Sequence, residues 1–193
     1  MNFKLYDLLS VLIPGSILLW PILHFLKLPF DKDLVPFYTA VAFVIGYFVN
    51  TFSSWLEDFY YWTWGGKPSN KLLDGKGITK VRFYQSDQVK KFLKEDSENN
   101  NPTNDELFSI AYRIAKGEKS SLVEDFNASY AFSRVILTLI IILFFVAIYP
   151  YYNYFKTYLL LLFGFVAWSR SRQRGYIFAR EVLTTYLLVK SRK

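Results

Sequence analysis

Residues 8–26 read LLSVLIPGSILLWPILHFL, a stretch without Asp, Glu, Lys or Arg. Two further stretches, residues 34–56 and 135–155, also lack these charged residues. A helix of about 20 apolar residues is long enough to cross the hydrocarbon core of a bilayer, which is roughly 30 Å thick. We therefore predict an integral membrane protein that crosses the bilayer several times.

The apolar stretches and their flanks predict four transmembrane helices arranged as two hairpins. Pro14 and Pro21 lie inside the first span, so we expect that helix to be bent or broken. Gly65 and Gly66 are expected to end the helix that continues from the second span. The four predicted spans are residues 8–26, 34–55, 131–149 and 151–168.

Composition and charge divide the chain into four segments. We predict a first transmembrane hairpin at 1–62, a cytoplasmic insert at 63–128, a second transmembrane hairpin at 129–169 and a basic amphipathic tail at 170–193. The predicted fold class is thus an all-α membrane protein, with four transmembrane helices as two hairpins, a small cytoplasmic insert and a C-terminal amphipathic helix.

The positions of Lys and Arg predict the orientation of the spans. Of the 23 positive residues, all but Lys27, Lys32 and Lys156 fall on the side that holds the insert and both termini. Positive residues favour the cytosolic side of short loops. We therefore expect both termini in the cytoplasm, and this topology accounts for the net charge of +7 without nucleic acid.

The insert contains signals for local structure. Thr103 and Glu106 have the spacing of a capping box, which predicts a short amphipathic helix ending at Gly117. Ser121 and Glu124 form a second such pair before the third span. Residues 78–84 alternate between apolar and polar side chains, which favours a strand. The apolar face of the short helix is expected to hold Leu107, Ile110, Ala111 and Ile114.

Two basic features flank the last two spans. Arg134 is expected about one turn inside the near interface, with its guanidinium snorkelling outward. The tail is amphipathic at helical spacing and is expected to lie on the inner leaflet or to pack on the insert. Its predicted apolar stripe consists of Phe178, Val182, Tyr186 and Val189.

Residues for conventional catalysis are scarce in this sequence. The chain has no cysteine and one histidine, His24, which is expected at the outer membrane interface. Thiolate chemistry is excluded, and ordinary zinc ligation would depend on carboxylates. Glu57 and Asp58 are adjacent and would point about 100° apart on a helix. We therefore expect no enzyme activity, no metal site and no cofactor.

Polar side chains inside a span are costly in lipid and are therefore informative. The second span carries Asn50, Ser53 and Ser54, of which Asn50 and Ser54 share a helical face. They either hydrogen-bond a neighbouring helix or line a polar pathway. Because four helices enclose no wide channel, such a pathway would lie between subunits of a homo-oligomer. Gly46 and Asn50 together offer a contact surface for another helix.

A basic cluster follows the fourth span. Arg170, Arg172 and Arg174 are separated by single residues, and Arg180 lies further along the tail. One interpretation is a stop-transfer cluster that contacts anionic lipid, with attraction of about 1 kcal/mol per residue near the surface. The alternative is that these arginines bind RNA or an acidic protein partner.

Two short motifs and their arrangement suggest a known class of proteins. YDLLSVLIPG at residues 6–15 and RSRQRGYIFAREVL at 170–183 flank a layout of two hairpins around an insert. This layout resembles small multispanning membrane accessory proteins of type VI-B CRISPR and related bacterial antiphage systems. The resemblance implies a regulator of an RNA-targeting effector at the bacterial inner membrane. A sister class there carries an Arg-x(4–6)-His ribonuclease motif, which this sequence lacks.

Three hypotheses for function follow. The first is an oligomeric inner-membrane accessory or effector protein of antiphage defence, which permeabilises the membrane or regulates an RNA-targeting effector. The second is a non-conducting scaffold that tethers a cytoplasmic partner. The third, a small transporter or membrane enzyme, ranks last because the spans hold no clustered acids or histidines. Expected partners are membrane lipids, further copies of the chain and a cytoplasmic effector protein, with RNA as a weaker alternative.

Overall fold

The structure is a computed structural model, and it describes residues 5–118, 122–151 and 155–192. Regular structure in these ranges is helical and includes no β-strand, as the sequence predicts for most of the chain. A 3₁₀ helix at Lys32–Leu34 precedes the second α-helix. The α-helices are α1 (Leu5–Phe25), α2 (Val35–Trp55), α3 (Glu57–Thr63), α4 (Pro68–Leu73), α5 (Ser86–Glu95), α6 (Asn104–Gly117), α7 (Val123–Tyr151) and α8 (Phe155–Ser191).

The chain forms two compact units, and each is assembled from two separate stretches. Unit 1 comprises residues 1–57 and 131–170, and unit 2 comprises residues 58–130 and 171–193. Both α7 and α8 contribute residues to each unit. The predicted insert and the predicted tail thus belong largely to the same unit.

Three helical segments in the described part of the chain are long and apolar enough to cross a bilayer. They are Leu8–Phe25, Lys32–Trp55 and Val123–Ala147, with 18, 24 and 25 residues. At 1.5 Å per residue, even the shortest spans about 27 Å, close to the thickness of the hydrocarbon core. The predicted fourth span includes residues 152–154, which lie outside the described ranges, so the arrangement of four spans stays a prediction.

Unit 1 has a small buried core and an apolar surface. Its core joins Leu18 of α1, Val49 of α2, and Val135 and Leu139 of α7. The outward faces of α1 and α2 carry large apolar side chains that are exposed, among them Trp20, Phe25, Phe37, Phe48 and Trp55. A soluble bundle would bury such side chains, whereas lipid solvates them at no cost. This surface is consistent with a membrane-embedded unit.

Helix α1 is continuous through both of its prolines. Pro14 and Pro21 lie within the single helix Leu5–Phe25, so the expected break is wrong, and the expected bend stays a prediction. Each proline removes the N–H donor for the carbonyl four residues earlier, but the remaining backbone hydrogen bonds are sufficient to keep the helix intact.

Three helices end in the same backbone motif. At the end of α3, the Gly66 amide donates to the Tyr61 carbonyl at 2.8 Å and Gly65 has a φ of 77°. This is the Schellman arrangement, which requires a left-handed residue and favours glycine. The predicted stop at Gly65 and Gly66 is confirmed, but the predicted continuation of the second-span helix to this point is wrong, because α2 ends at Trp55 and α3 begins at Glu57. Gly75 is the left-handed residue of the same motif after α4, and Lys27, with a φ of 54°, is the left-handed residue after α1.

Unit 2 is a helical domain built around the last part of α8. Helices α4, α5 and α6 pack against one another. The C-terminal part of α8 enters the same core, so the tail packs on the insert. The buried side chains from α8 are Tyr176, Ala179, Val182, Leu183, Tyr186 and Leu187. Of the predicted stripe, Val182 and Tyr186 are buried in this core and Phe178 packs against it, whereas Val189 is half-buried and is not part of the core.

The insert confirms one local prediction and corrects another. Thr103 Oγ1 accepts from the Glu106 amide at 3.3 Å, and the Thr103 amide donates to Glu106 Oε2 at 2.8 Å, so the capping box is present. Residues 78–84 do not form a strand. Ile78 and Val81 exchange two backbone hydrogen bonds across a tight turn, and pairing stops there. The second predicted capping residue, Ser121, lies outside the described ranges.

Candidate functional site

The closest helix contact in unit 1 is a reciprocal glycine crossing of α1 and α2. A Cβ on Gly15 would lie 1.7 Å from the Ala42 carbonyl oxygen, and one on Gly46 would lie 1.7 Å from the Val11 carbonyl oxygen. The two backbones therefore touch directly, as small residues permit in membrane helix pairs. Gly46, predicted as part of a contact surface for another helix, meets α1 of its own chain.

The three polar residues predicted in the second span have different environments. Ser53 is fully buried in unit 1, on the α2 face that also carries Val49, and its hydroxyl has no hydrogen-bond partner among the described residues. Ser54 is exposed, and its hydroxyl donates to the Asn50 carbonyl of the same helix at 3.2 Å. The Asn50 side chain is half-buried.

An ion pair joins the start of α3 to α7, at the end of unit 1 where α2 stops. The Arg134 guanidinium of α7 contacts the Glu57 carboxylate, and the Arg134 side chain is only 11% exposed while that of Glu57 is 31% exposed. The predicted outward snorkelling of the Arg134 guanidinium is therefore wrong, because this group is buried against Glu57. The two residues lie on different helices, α3 and α7, and no spacing in the sequence connects them. Ser53, Glu57 and Arg134 thus form a polar region at this end of unit 1.

The predicted arginine cluster is divided between the two units. Arg170 is exposed and belongs to unit 1, whereas Arg172, Arg174 and Arg180 are half-buried and belong to unit 2. For Arg174 and Arg180, no ion pair is found within the described ranges. Contact of the four arginines with anionic lipid, RNA or an acidic protein stays a prediction.

A polar network in unit 2 was not predicted. The buried Tyr186 hydroxyl of α8 donates to Asp96 Oδ2 at 2.7 Å, and the Lys190 ammonium contacts the other oxygen of Asp96. A cleft of about 260 Å³ opens beside this network and is also lined by Arg113, Ile110 and Ile114. Arg113 has no ion pair with another described residue, so the cleft offers one unneutralised guanidinium above an apolar wall.

Because of the same network, the stability of unit 2 depends on pH in the alkaline range. Burial, and then the hydrogen bond to Asp96, raise the pKa of the Tyr186 hydroxyl above its ordinary value of 10.0. The folded state therefore holds this proton more tightly than the unfolded state does. That stabilisation is complete below about pH 10 and declines as the pH rises further, because only the unfolded state then ionises readily.

We expect Tyr186→Phe to flatten this alkaline loss of stability. At pH 8 the variant should lose about 1–2 kcal/mol, since Asp96 then lacks one donor. The measurement is the urea midpoint of the detergent-solubilised chain at pH 8 and pH 11, with Tyr84→Phe as the control because Tyr84 is exposed. A variant whose alkaline loss equals that of the unmodified chain contradicts this role for Tyr186.

Comparison with known proteins gives no functional assignment for this chain, so its function is inferred from the structure. No protein-family model, curated protein or solved structure matches this chain. Within the described ranges, no group of three or more His, Cys, Asp or Glu side chains could hold a metal ion. The features available for function are therefore the polar end of unit 1, the arginines of α8 and the cleft of unit 2.

Proposed function

We propose that this chain is an oligomeric inner-membrane accessory or effector protein of a bacterial antiphage system. Unit 2 receives a cytosolic signal, and unit 1 changes membrane permeability or regulates an RNA-targeting effector. The supporting observation is the division of the chain into an apolar unit with exposed aromatic side chains and a well-packed helical unit. The defence context comes from the resemblance of the two short motifs and the layout.

The topology proposed with this function has four spans, with both termini and unit 2 in the cytoplasm. The first part of α8 supports the fourth span, because most of its large apolar side chains are exposed, including Leu161, Leu162, Phe163, Phe165 and Val166. Arg170 and Arg172 follow this stretch directly, as expected at a cytosolic membrane boundary.

The conducting form of the proposal assigns Asn50 to a pathway between subunits. In cells in which the system is triggered, Asn50→Leu should reduce dye entry and depolarisation by at least about an order of magnitude, since it removes the polar amide from the path. Thr51→Val is the matched control, because the Thr51 hydroxyl already donates to the Tyr47 carbonyl at 3.0 Å. Full membrane potential in triggered cells carrying the unmodified chain would refute conduction.

The second candidate, a scaffold that tethers a cytoplasmic partner, is favoured by the cleft of unit 2. Arg113 gives that cleft one cationic group without an ion pair among the described residues, beside the paired Asp96 and Lys190, which suits recognition of a polar surface or ligand. Replacing both stretches of unit 1 with unrelated spans separates the two functions. A scaffold keeps its activity after this exchange, and a permeabilising protein loses it.

A further inference from the structure

Helix α3 and the residue that follows it, Trp64, carry aromatic side chains on two faces with opposite environments. Tyr60 and Trp64 are 1% and 3% exposed, whereas Phe59 and Trp62 are 53% and 75% exposed. The rings of Phe59 and Trp62 stack with centroids 5.8 Å apart, so they form one continuous apolar patch. A helix this rich in aromatic residues on its outer face needs a solvent other than water alone.

The contacts of the buried face of α3 determine the direction in which its exposed face points. The Trp64 ring lies 6.3 Å from that of Tyr130, and the Tyr130 hydroxyl donates to the Tyr61 hydroxyl at 3.1 Å. Gly175 of α8 packs on this cluster, because a Cβ there would meet Trp64 Cζ3 at 3.5 Å. Since α3 is held by these contacts within unit 2, Phe59 and Trp62 cannot turn inward without breaking the core.

Chain connectivity limits where this outer face can be. Helix α2, a candidate span, ends at Trp55, and Phe59 follows four residues later, within about 14 Å along the chain. The exposed aromatic pair is therefore tethered close to the end of a span. Tryptophan is enriched at this depth, where the ring contacts acyl chains and the indole N–H reaches headgroups.

A cationic group lies at the end of the same helix. The Lys71 ammonium would be 3.7 Å from a Cβ on Gly65, in the turn that closes α3. Lys71 has no ion pair with another described residue. An ammonium at the turn that ends the helix with the exposed aromatic rings matches the combination of phosphate and acyl chain that a phospholipid headgroup layer presents.

We propose that the outer face of α3, formed by Phe59 and Trp62, is a lipid-binding surface that lies in the headgroup layer and attaches unit 2 to the membrane. This inference rests on the membrane location proposed above. It adds a second attachment point for unit 2, besides the spans. Insertion of the stacked pair would also make the position of α3 sensitive to lipid packing.

The test uses the intrinsic fluorescence of tryptophan in proteoliposomes. The chain has five tryptophans, so variants that keep only Trp62, only Trp64 or only Trp55 are made by Trp→Phe substitution and reconstituted in phosphatidylcholine vesicles with or without brominated acyl chains. If the proposal holds, brominated lipid should quench Trp62 and Trp55 by at least about twofold, since interfacial tryptophans touch the acyl chains. Trp64, two residues beyond Trp62 in sequence, is buried and should change little.

The outcomes distinguish this inference from the proposed membrane location. Quenching of Trp55 without quenching of Trp62 overturns the lipid-binding surface and leaves the spans intact. Absence of quenching at both positions overturns the membrane location as well. Should Trp64→Phe prevent folding, the difference in quenching between the full chain and Trp62→Phe gives the Trp62 contribution directly.

Discussion

Gly15→Ala and Gly46→Ala are each expected to destabilise unit 1 by about 3 kcal/mol or more. The added Cβ would lie 1.7 Å from a backbone carbonyl oxygen of the opposite helix in both cases. Backbone cannot move aside as a flexible side chain does, so α1 and α2 would have to separate. The measurement is loss of helicity of the purified chain during titration of a mild detergent with SDS.

Gly164→Ala is the matched control for the glycine crossing. Gly164 is also helical and belongs to unit 1, but a Cβ there meets Ile140 Cγ2 at 3.7 Å, an ordinary van der Waals contact. This change should be neutral or should stabilise by up to about 1 kcal/mol through helix propensity. If Gly15→Ala and Gly46→Ala unfold at the same SDS fraction as Gly164→Ala, the close crossing is wrong.

Glu57→Gln should produce the second largest effect, a loss of about 2–4 kcal/mol of stability. It leaves the Arg134 guanidinium, only 11% exposed, without its carboxylate. Removing one partner of a buried ion pair is strongly destabilising because the other charge stays desolvated. We place the effect toward the lower part of that range, because the Glu57 side chain is 31% exposed and water screens the pair.

A double-mutant cycle isolates the pair from the general cost of changing either residue. Glu57→Gln combined with Arg134→Met should be less destabilising than the two single changes added together, since no charge is then left alone. Asp58→Asn serves as the control, because Asp58 is exposed and forms no ion pair in the described structure. Equal losses for Glu57→Gln and Asp58→Asn would show that the pair contributes nothing specific.

The sequence predicts the features that depend on neighbours along the chain. Apolar runs place the helices of Leu8–Phe25, Lys32–Trp55 and Val123–Ala147, because spanning a bilayer depends on length and hydropathy alone. The capping box of Thr103 and Glu106, and the helix stop at Gly65, are likewise local. Each requires a particular side chain at a fixed offset, so a single sequence is sufficient to find it.

Features that depend on distant residues are missed or assigned wrongly. Glu57 and Arg134 are 77 positions apart, and Asp96 and Tyr186 are 90 apart, so no spacing rule connects either pair. The predicted stripe on the tail is displaced around the helix, because it lies at one edge of the face that α8 buries in unit 2. That face consists of Tyr176, Ala179, Val182, Leu183, Tyr186 and Leu187. The alternation in residues 78–84 reflects one tight turn, which gives the same short pattern as a strand.

Unit 2 is built from two separate stretches of the chain, so its core cannot be completed until the second stretch has been synthesised. Residues 58–130 emerge from the ribosome first, yet their core also requires Val182, Leu183 and Tyr186 from the later stretch. The nascent unit therefore keeps Leu72, Leu93 and Leu107 partly uncovered while the intervening hydrophobic residues are translated. The core of unit 2 therefore closes only after residues 131–170, which include part of a candidate span, have been made.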